Sequence, residues 1–383
     1  MTGQWTATDE VLRAWAYLSR VAEPPRAALA QWVAVVGPVD AAAAIRDGAA
    51  PPEVAPHVQA RRETDCAAQD LDLLFRRGGR LITPEDAEWP HLAFVGFGSQ
   101  SLRGKAEGHA PLVLWAMGPA RLDEVVTRST AIVGTRAATA YGEHMAGDFA
   151  AGLAEHDVAV VSGGAYGIDG AAHRASLAAD GTTVAVLAGG IDIPYPAGHS
   201  ALLHRIAANG LLVSEYPPGV RPARFRFLTR NRLVAALSGV TVVVEAGLRS
   251  GAASTAAWAD ALGRVVCAVP GPVTSSASAG CHALIRRGAQ LVTGVDEVVE
   301  LAGRHGELAV EPDHPSSPLD VLSDAERRVY EALPARGLRG VDQLSVTAGI
   351  APAQLLAPLA MLELAGLVEK CDGRWRLAKP GGG

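Results

Sequence analysis

A repeated alternation of short apolar runs and glycine-bearing turns constrains the fold of this chain more than any other feature. Between residues 129 and 303, six apolar runs are mostly followed by a glycine-bearing turn and then a helical pattern. The runs are TAIVG, VAVVSGG, TTVAVLAGG, GLLVSEY, VTVVVEAG and GRVVCAVPG. Continuous apolar runs predict strands that are buried on both faces, as in parallel α/β sheets. We therefore predict an α/β fold that binds its ligand outside the carboxyl ends of the strands.

The composition allows two or three hydrophobic cores, since 49% of the 383 residues are hydrophobic and 19% are charged. The net charge of −6 counts against a globally basic nucleic-acid-binding protein, so any positive site must be local. No apolar run reaches the length of a membrane span, and the N-terminus does not resemble a secretory signal. We expect a cytoplasmic protein without a membrane partner.

The pattern divides the chain into four regions. Residues 1–75 show helical periodicity, and residues 76–305 form a Rossmann-like domain whose first part, 76–128, is an N-terminal extension of the sheet pattern. A polar, proline-bearing stretch predicts a linker at 306–320. Residues 321–380 combine three helical patterns with a terminal hairpin, which predicts a winged-helix domain.

The first glycine-bearing turn, Gly134-Thr135-Arg136, follows the strand at 131–133 and precedes a helix that we expect to begin near Thr139. The start of a helix offers unpaired backbone amides and a partial positive charge to an anion. The hydroxyl of Thr135 and the guanidinium of Arg136 would add phosphate contacts. The same residues also fit a plain strand-to-helix turn with a solvent-facing arginine.

A second turn lies one strand further along the chain and would continue the same anion-binding edge. It consists of Ser162, Gly163, Gly164, Ala165, Tyr166 and Gly167. It is not a clean dinucleotide-binding motif, and the chain lacks the lysine motif of a P-loop, so no nucleotide cofactor is predicted. Asp169 and His173 share a helix face, where we expect a helix-dipole contact and a packing hydrogen bond.

The strongest local positive charge is in RPARFRFLTRNR, residues 221–232, which contains no acid. Its arginines are Arg221, Arg224, Arg226, Arg230 and Arg232, with Phe225 and Phe227 between them. Arginine interleaved with aromatic residues suits single-stranded nucleic acid, whose backbone needs cations and whose bases stack on rings. A solvated basic loop over buried rings is the alternative. We expect Arg230-Asn231-Arg232 to face a ligand or partner and the rings to lie mostly in the core.

The segment 242–264 offers one candidate acid, Glu245, at the end of a strand, where a hydrogen-bonded structural role is expected. Ser254 or Thr255 is the expected N-cap of the helix that follows. The histidines and the four cysteines lack the spacing of metal ligands, and no nucleophile accompanies Asp169 and His173. We therefore predict no metal site and no catalytic site.

Taken together, these segments resemble the DNA-processing protein A family (DprA, also called Smf). The matching segments are IVGTR (132–136), SGGAYGID with AAH (162–173), AVLAGGID with YP (185–196), SEYPPG (214–219), RNRLVAALS (230–238), VVEA with SG and TA (243–256), and VPG with LIRRGA (269–289). Their order and spacing match over about residues 85–300. The resemblance implies an extended Rossmann-like core between an N-terminal helical domain of the sterile-alpha-motif type and a C-terminal winged helix.

The resemblance also implies a function. It implies a homodimer without established catalytic activity that binds single-stranded DNA and hands it to the recombinase RecA in natural transformation. The DNA-binding residues expected here are Gly134, Thr135, Arg136, Ser162, Gly163, Gly164, Tyr166, Arg224, Arg230, Asn231 and Arg232. Tyr166 departs from the family, which commonly has arginine there; a tyrosine would stack on a base instead of contacting phosphate.

Two alternatives remain open from the sequence. One is a nucleotide-processing hydrolase of the phosphoribohydrolase type on a related fold, with Glu245 as general acid, although the PGGxGTxxE signature is missing. The other is duplex DNA binding by the winged helix. Its candidate recognition helix, APAQLLAPLAMLELAG, contains no lysine or arginine, which favours a protein-contact surface.

Overall fold

The computed structural model describes residues 7–105, 107–302, 319 and 322–378. The chain divides into two compact units, Met1–Ala309 and Val310–Gly383. The first unit contains the N-terminal helices and the large sheet with its own helices. The second unit contains three helices and a hairpin. The predicted linker, residues 306–320, lies outside the described residues except for position 319.

The helices of the first unit are α1 (Ala7–Val21), α2 (Ala27–Val36), α3 (Pro38–Arg46), α4 (Ala55–Val58), α5 (Ala67–Arg76), α6 (His91–Phe94), α7 (Leu122–Val125), α8 (Ala140–Glu155), α9 (Ile168–Ala178), α10 (Ser200–Asn209), α11 (Arg224–Ala236), α12 (Gly251–Ala261), α13 (Ala279–Ile285) and α14 (Val295–Ala302). Its strands are β1 (Gly79–Ile82), β2 (Leu114–Met117), β3 (Ser129–Val133), β4 (Ala159–Ser162), β5 (Thr183–Leu187), β6 (Leu211–Ser214), β7 (Val240–Val243), β8 (Val265–Ala268) and β9 (Gln290–Leu291).

In the described part of the chain these strands form one nine-stranded sheet with the order β1-β2-β6-β5-β4-β3-β7-β8-β9. The strands from β6 to β9 in this order run parallel, whereas β2 runs antiparallel to β6 and β1 antiparallel to β2. Every residue of β3 through β7 is buried, as their continuous apolar sequences predict. The two antiparallel strands come from the predicted extension, so the core is a mixed sheet.

The chain direction across the sheet reverses at β3. The strands β3 to β6 extend to one side, and the chain then returns to place β7 on the other side of β3. The loops after β3 and β7 therefore diverge and leave a crevice at the carboxyl ends of these strands. Open α/β sheets bind ligands at such a switch point.

The N-terminal helices share a hydrophobic core with the sheet. Trp15 and Leu18 of α1 belong to the same packed cluster as Trp115 of β2 and Leu187 of β5. Across this boundary Glu23 forms an ion pair with Arg226 of α11, with a distance of 2.7 Å between Oε1 and Nε. The helices from α1 to α5 thus form part of the first compact unit.

The second unit consists of α15 (Asp324–Ala332), α16 (Val341–Ala348), α17 (Pro352–Leu364), β10 (Val368–Cys371) and β11 (Arg374–Leu377). Asp372 and Gly373 join the two strands with φ angles of 48° and 76°, as a tight hairpin turn requires. Arg339 adds a short bridge to Trp375 of β11. Three helices followed by this hairpin form the arrangement predicted for a winged helix.

Within the described residues, none of the helices alone is long and apolar enough to cross a membrane. Two helix pairs reach the required length and composition together, namely α2 with α3 and α16 with α17. These pairs are bent by 117° and 98° at their breaks.

Candidate nucleic-acid interface

A cleft of about 370 Å³ lies at the switch point of the sheet, beyond the carboxyl ends of β3, β4 and β7. The loops after these strands supply three of its walls, and α11 supplies the fourth. Polar and glycine residues lining the cleft are Gly134, Thr135, Arg136, Gly163, Asp169, Arg230, Asn231, Gly247, Arg249, Ser250, Gly251 and Thr255. The structure thus brings six of the predicted DNA-binding residues into one place: Gly134, Thr135, Arg136, Gly163, Arg230 and Asn231.

The loop after β3 is held in place by backbone hydrogen bonds. The amide of Thr135 donates to the carbonyl of Glu245 at 2.7 Å. The carbonyl of Thr135 accepts from the amide of Ile168 at 3.2 Å. A side chain at Gly134 would collide with Ile168, which explains the glycine there. Arg136 is exposed at the mouth of the cleft. Thr139 is the N-cap of α8, as the sequence predicts, and accepts from the amide of Gly142.

Glu245 lies buried behind this loop, where it caps the start of α8. Its Oε1 accepts from the hydroxyl of Thr139 at 2.7 Å, and its Oε2 accepts from the amide of the same residue at 3.0 Å. Glu245 does not line the cleft. Glu245 therefore has the hydrogen-bonded structural role that the sequence predicts. The hydrolase alternative has no general acid at this position.

The turn after β4 is organised around a second buried carboxylate, Asp169. Its Oδ2 accepts from the amides of Gly163 and Ala165 at 3.1 and 3.4 Å. Burial raises the pKa of Asp169, while the nearby charge of Arg230 and the two amide bonds oppose that shift. These amides, predicted to cradle phosphate, donate to a protein carboxylate instead. The cationic side chains that line the cleft are arginines.

Two other members of this turn lie away from the cleft. Ser162 is fully buried, and its hydroxyl donates to the carbonyl of Ile132 at 2.6 Å. Gly164 has a φ of +70° and accepts at its carbonyl from Nδ1 of His199 at 3.1 Å. The structure therefore does not bring the side chain of Ser162 to the predicted DNA-binding surface.

The basic segment 221–232 forms most of the helix α11, and helical spacing decides which of its residues meet the cleft. Phe227, Arg230, Asn231 and Val234 line it, at the i, i+3, i+4 and i+7 positions of one helix face. Nη1 of Arg230 donates to the carbonyl of Val186 at 2.5 Å. Burial, reinforced by the charge of Arg136, lowers the pKa of Arg230 to about 10, so it remains charged at neutral pH.

Arg232 is a correction to the sequence-based assignment, because it does not face the cleft. Its side chain is 0% exposed, and Nη2 donates to both carboxylate oxygens of Glu215 at 2.6 Å. Residues two apart on a helix lie about 200° apart around its axis, so Arg230 and Arg232 point in nearly opposite directions. Arg232 is a core residue that is paired with a buried acid.

The aromatic residues near the cleft are distributed differently from the expectation. The Arg136 guanidinium lies 5.1 Å from the centroid of the Phe227 ring, which in turn lies 5.4 Å from that of Tyr195. Phe225 is 53% exposed instead of lying in the core. Tyr166 is 46% exposed, but its hydroxyl accepts from the amide of Gly198 at 3.2 Å, and it does not line the cleft.

A further cation lines the cleft that is not among the DNA-binding residues predicted from the sequence. Arg249 is exposed in the loop after β7, and Ser250 follows it as the N-cap of α12, in place of the expected Ser254 or Thr255. The LRSG sequence directly after the β7 run indicated a cation in this loop. That the loop lies near β3 could be known only from the strand order. Arg224 is exposed at the first turn of α11 and does not line the cleft.

No metal site accompanies this cleft in the part of the chain that the structure describes. Within those ranges, no group of three or more histidine, cysteine or acidic side chains is placed to hold a metal ion. Cys267 and Cys281 are buried, and burial raises the pKa of these thiols to about 12 and about 11. Both therefore remain protonated at neutral pH.

Comparison with known proteins matches both units. The family described as DNA recombination-mediator protein A matches residues 80–303, and the DprA winged helix domain matches residues 312–374. A protein from Mycobacterium tuberculosis, described as a putative DNA processing protein DprA, is 68% identical over 375 residues, which cover 98% of this chain and 96% of the relative. Protein Smf from Escherichia coli is 38% identical over 261 residues, covering 66% of each protein.

The solved structure of one relative agrees with the predicted architecture. The X-ray structure of DNA processing protein A from Streptococcus pneumoniae has a TM-score of 0.60 and 29% identity, and the match covers 78% of this chain and 96% of that chain. A structure of the Helicobacter pylori protein, concerned with its single-stranded DNA binding mode, has a TM-score of 0.49 and 30% identity over 58% of this chain and 94% of that one. The predicted α/β core and winged helix are confirmed, and the chain belongs to the DNA recombination-mediator protein A (DprA) family.

Proposed function

We propose that this chain binds single-stranded DNA in the cleft and acts as a recombination mediator without catalysing a reaction. The observation that carries the proposal is the meeting of Arg136, Arg230 and Arg249 in one cleft of a chain whose net charge is −6. Guanidinium groups bind phosphate through paired hydrogen bonds. The one acid among the lining residues, Asp169, is engaged by two backbone amides.

The surroundings of these arginines favour a single strand over a duplex. Phe227 lines the cleft beside Arg136, and an aromatic ring offers a surface on which an unpaired base can stack. In a duplex the faces of the bases are covered by their neighbours, so only the backbone contacts would remain. Tyr166 lies outside the cleft lining and is exposed enough to contact the strand beyond it.

We extend the proposal to handover of the bound strand to the recombinase RecA during natural transformation. The family description as a recombination mediator supports a role beside a recombinase. We also propose that the chain acts as a homodimer in the cytoplasm, on the basis of its sequence resemblance to the family.

The test is a binding titration of the Arg136→Ala variant with single- and double-stranded oligonucleotides at several salt concentrations. Losing one hydrogen-bonded charge contact costs about 1.5–3 kcal/mol, so the single-strand affinity should fall by about 10- to 150-fold. The salt dependence should also become shallower, by about 0.7 in the slope of log K against log salt for one phosphate contact. Arg136 is exposed, so the variant should keep its fold.

The matched control is Arg205→Ala, which removes an exposed arginine of α10 that does not line the cleft. This variant should bind as the natural protein does. A folded Arg136→Ala protein with unchanged affinity would show that the cleft is not the DNA-binding site.

A further inference from the structure

A second arginine-lined cleft lies beside the first turn of α11, where the N-terminal helices meet the loop before this helix. It measures about 340 Å³. Its lining residues are Arg20, Arg61, Thr64, Val220, Arg221 and Arg226. Four of these six side chains carry a guanidinium, which is a strong local concentration of positive charge in an acidic protein.

The acids beside this cleft do not cancel its charge. Glu23 is shared by two arginines: it accepts from Nε and Nη2 of Arg226 at 2.7 and 2.9 Å and from Nη2 of Arg61 at 2.7 Å. Burial alone would raise the pKa of Glu23, but the hydrogen bonds from the two arginines hold it below its ordinary value. A single carboxylate thus faces two guanidinium groups, which leaves a net positive charge.

The other two arginines differ from each other. Arg20 is neutralised by Asp70, with two hydrogen bonds of 2.7 Å to the carboxylate. Arg221 is exposed, and none of the ion pairs found among the described residues involves it. Four guanidinium groups are therefore matched by two carboxylates, and Arg221 is the cation most available to an incoming anion.

The second cleft is also preorganised. Nη1 of Arg226 donates to the carbonyl of Arg221 at 2.6 Å, and Nη1 of Arg61 donates to the carbonyl of Arg20 at 3.3 Å. These bonds hold the charges in place before a ligand arrives, so little side-chain entropy is lost when it binds. A surface lysine cluster would lack this rigidity.

The helix α11 joins the two clefts. Arg226 lines the second cleft and the next residue, Phe227, lines the first. Arg224 and Phe225 are exposed at the N-terminal turn of the same helix. A strand that crosses the start of α11 would therefore pass from one arginine-lined cleft to the other over a cation and an exposed ring.

We propose that the second cleft binds phosphates of the DNA strand that leaves the first cleft. This inference rests on the proposed single-stranded DNA binding and adds a second contact to it. The ligand chemistry is a phosphodiester backbone, and a free inorganic phosphate shares that chemistry. The two sources differ in one property, because only a strand connects the second cleft to the first.

The test uses the full chain and a length series of single-stranded oligonucleotides. The shortest oligonucleotide whose binding depends on Arg136 reports the first cleft, and a strand several times longer reports both. The variants are Arg221→Ala and the charge-reversing Arg221→Glu, with Arg205→Ala as control. Inorganic phosphate, titrated at constant ionic strength, is the separate arm for a free anion.

We expect Arg221→Ala to weaken binding of the long strand by about 3- to 10-fold, to lower its salt slope by about 0.7, and to leave binding of the short strand unchanged. Arg221→Glu should enlarge the same difference. Unchanged long-strand binding in both variants, with Arg136→Ala still defective, would overturn the second contact and leave the first cleft standing. Equal weakening of short-strand and long-strand binding would place Arg221 in the first cleft, and this result would also overturn the second contact.

Two remaining outcomes are equally decisive. Inorganic phosphate binding that depends on Arg221, without any difference between the two strand lengths, would identify a site for a small anion in place of a DNA path. Absence of single-strand binding by the natural protein would overturn the proposed function and this inference with it. A thermal unfolding curve for each variant verifies that the affinities compare folded proteins.

Discussion

Arg230 and Arg232 show how much the role of a residue depends on the direction of its side chain. Both belong to the same basic sequence, yet Arg230 lines the cleft and Arg232 forms a fully buried pair with Glu215. Arg230 has its position because Gly163 leaves room for it. A side chain on Gly163 would overlap the guanidinium group of Arg230. The glycine of the second turn thus contributes by its small size, whereas its amide donates to Asp169.

Gly163→Ala should therefore impair DNA binding although it removes no charge. The added methyl group would displace the Arg230 guanidinium from its hydrogen bond with Val186, at a cost in folding stability of about 1–3 kcal/mol for overpacking. We expect a loss of about tenfold in single-strand affinity, measured by fluorescence anisotropy. Gly294→Ala is the control, because a methyl group there meets no atom within 4 Å. Natural affinity in a folded Gly163→Ala protein would contradict this account of Arg230.

At the scale of elements, α9 is attached to the sheet through a buried histidine. Nδ1 of His173 lies 2.7 Å from the hydroxyl of Thr183, and that hydroxyl donates to the carbonyl of Val160 at 2.9 Å. Because the Thr183 hydroxyl uses its proton in this bond, Nδ1 of His173 must carry a proton and donate it to the hydroxyl oxygen. The Nε2 atom of His173 is therefore unprotonated, and it is buried without a hydrogen-bond partner. Burial, together with nearby positive charges, lowers the pKa of His173 from 6.5 to about 3.

The protein should lose stability in acid through this histidine. Below pH 6.5 the unfolded chain takes up a proton at His173 that the folded chain excludes until about pH 3, so the free energy of unfolding falls as the pH falls. The contribution is about 1.4 kcal/mol per pH unit within that window. Urea unfolding of His173→Gln across the window should show a shallower pH dependence than the natural protein. An unchanged slope would contradict the assignment, and the exposed His204→Gln variant serves as control.

At the scale of the whole molecule, the residues of the proposed DNA site all belong to the first compact unit. The cleft lining ends at Thr255, and the second unit has its own hydrophobic core that includes Leu344, Leu359 and Trp375. The helix α17 contains no lysine or arginine, so it has no cation for a DNA backbone. We expect the first unit to bind the strand and the second to make contacts with proteins.

Removal of residues 310–383 should therefore leave single-strand binding almost unchanged. We expect an affinity within about threefold of the full chain, which is under about 0.7 kcal/mol, and the same salt slope. Anisotropy titrations of the two proteins side by side provide the measurement. A large loss of affinity in a truncated protein that still unfolds cooperatively would show that the winged helix contacts the strand.

Local sequence was sufficient to predict the layers of this fold. The buried strands β3 to β7 follow from continuous apolar runs, the start of α8 follows from Thr139, and the terminal hairpin follows from the turn at Asp372-Gly373. Each depends on residues that are close in sequence, through burial, capping or turn geometry. The glycine-bearing turn at Gly134-Thr135-Arg136 also predicted one wall of the cleft.

Tertiary structure decided which charges of the chain remain available to a ligand. Pairing of Arg232 with Glu215 and engagement of the Gly163 amide by Asp169 both depend on groups that local pattern does not connect. The strand order brought Arg249 into the cleft that Arg136 also lines, although more than a hundred residues separate them in the chain. The sequence determines which side chains carry a charge. Which charges are paired or buried is decided only when distant segments pack together, because pairing and burial depend on distance in space.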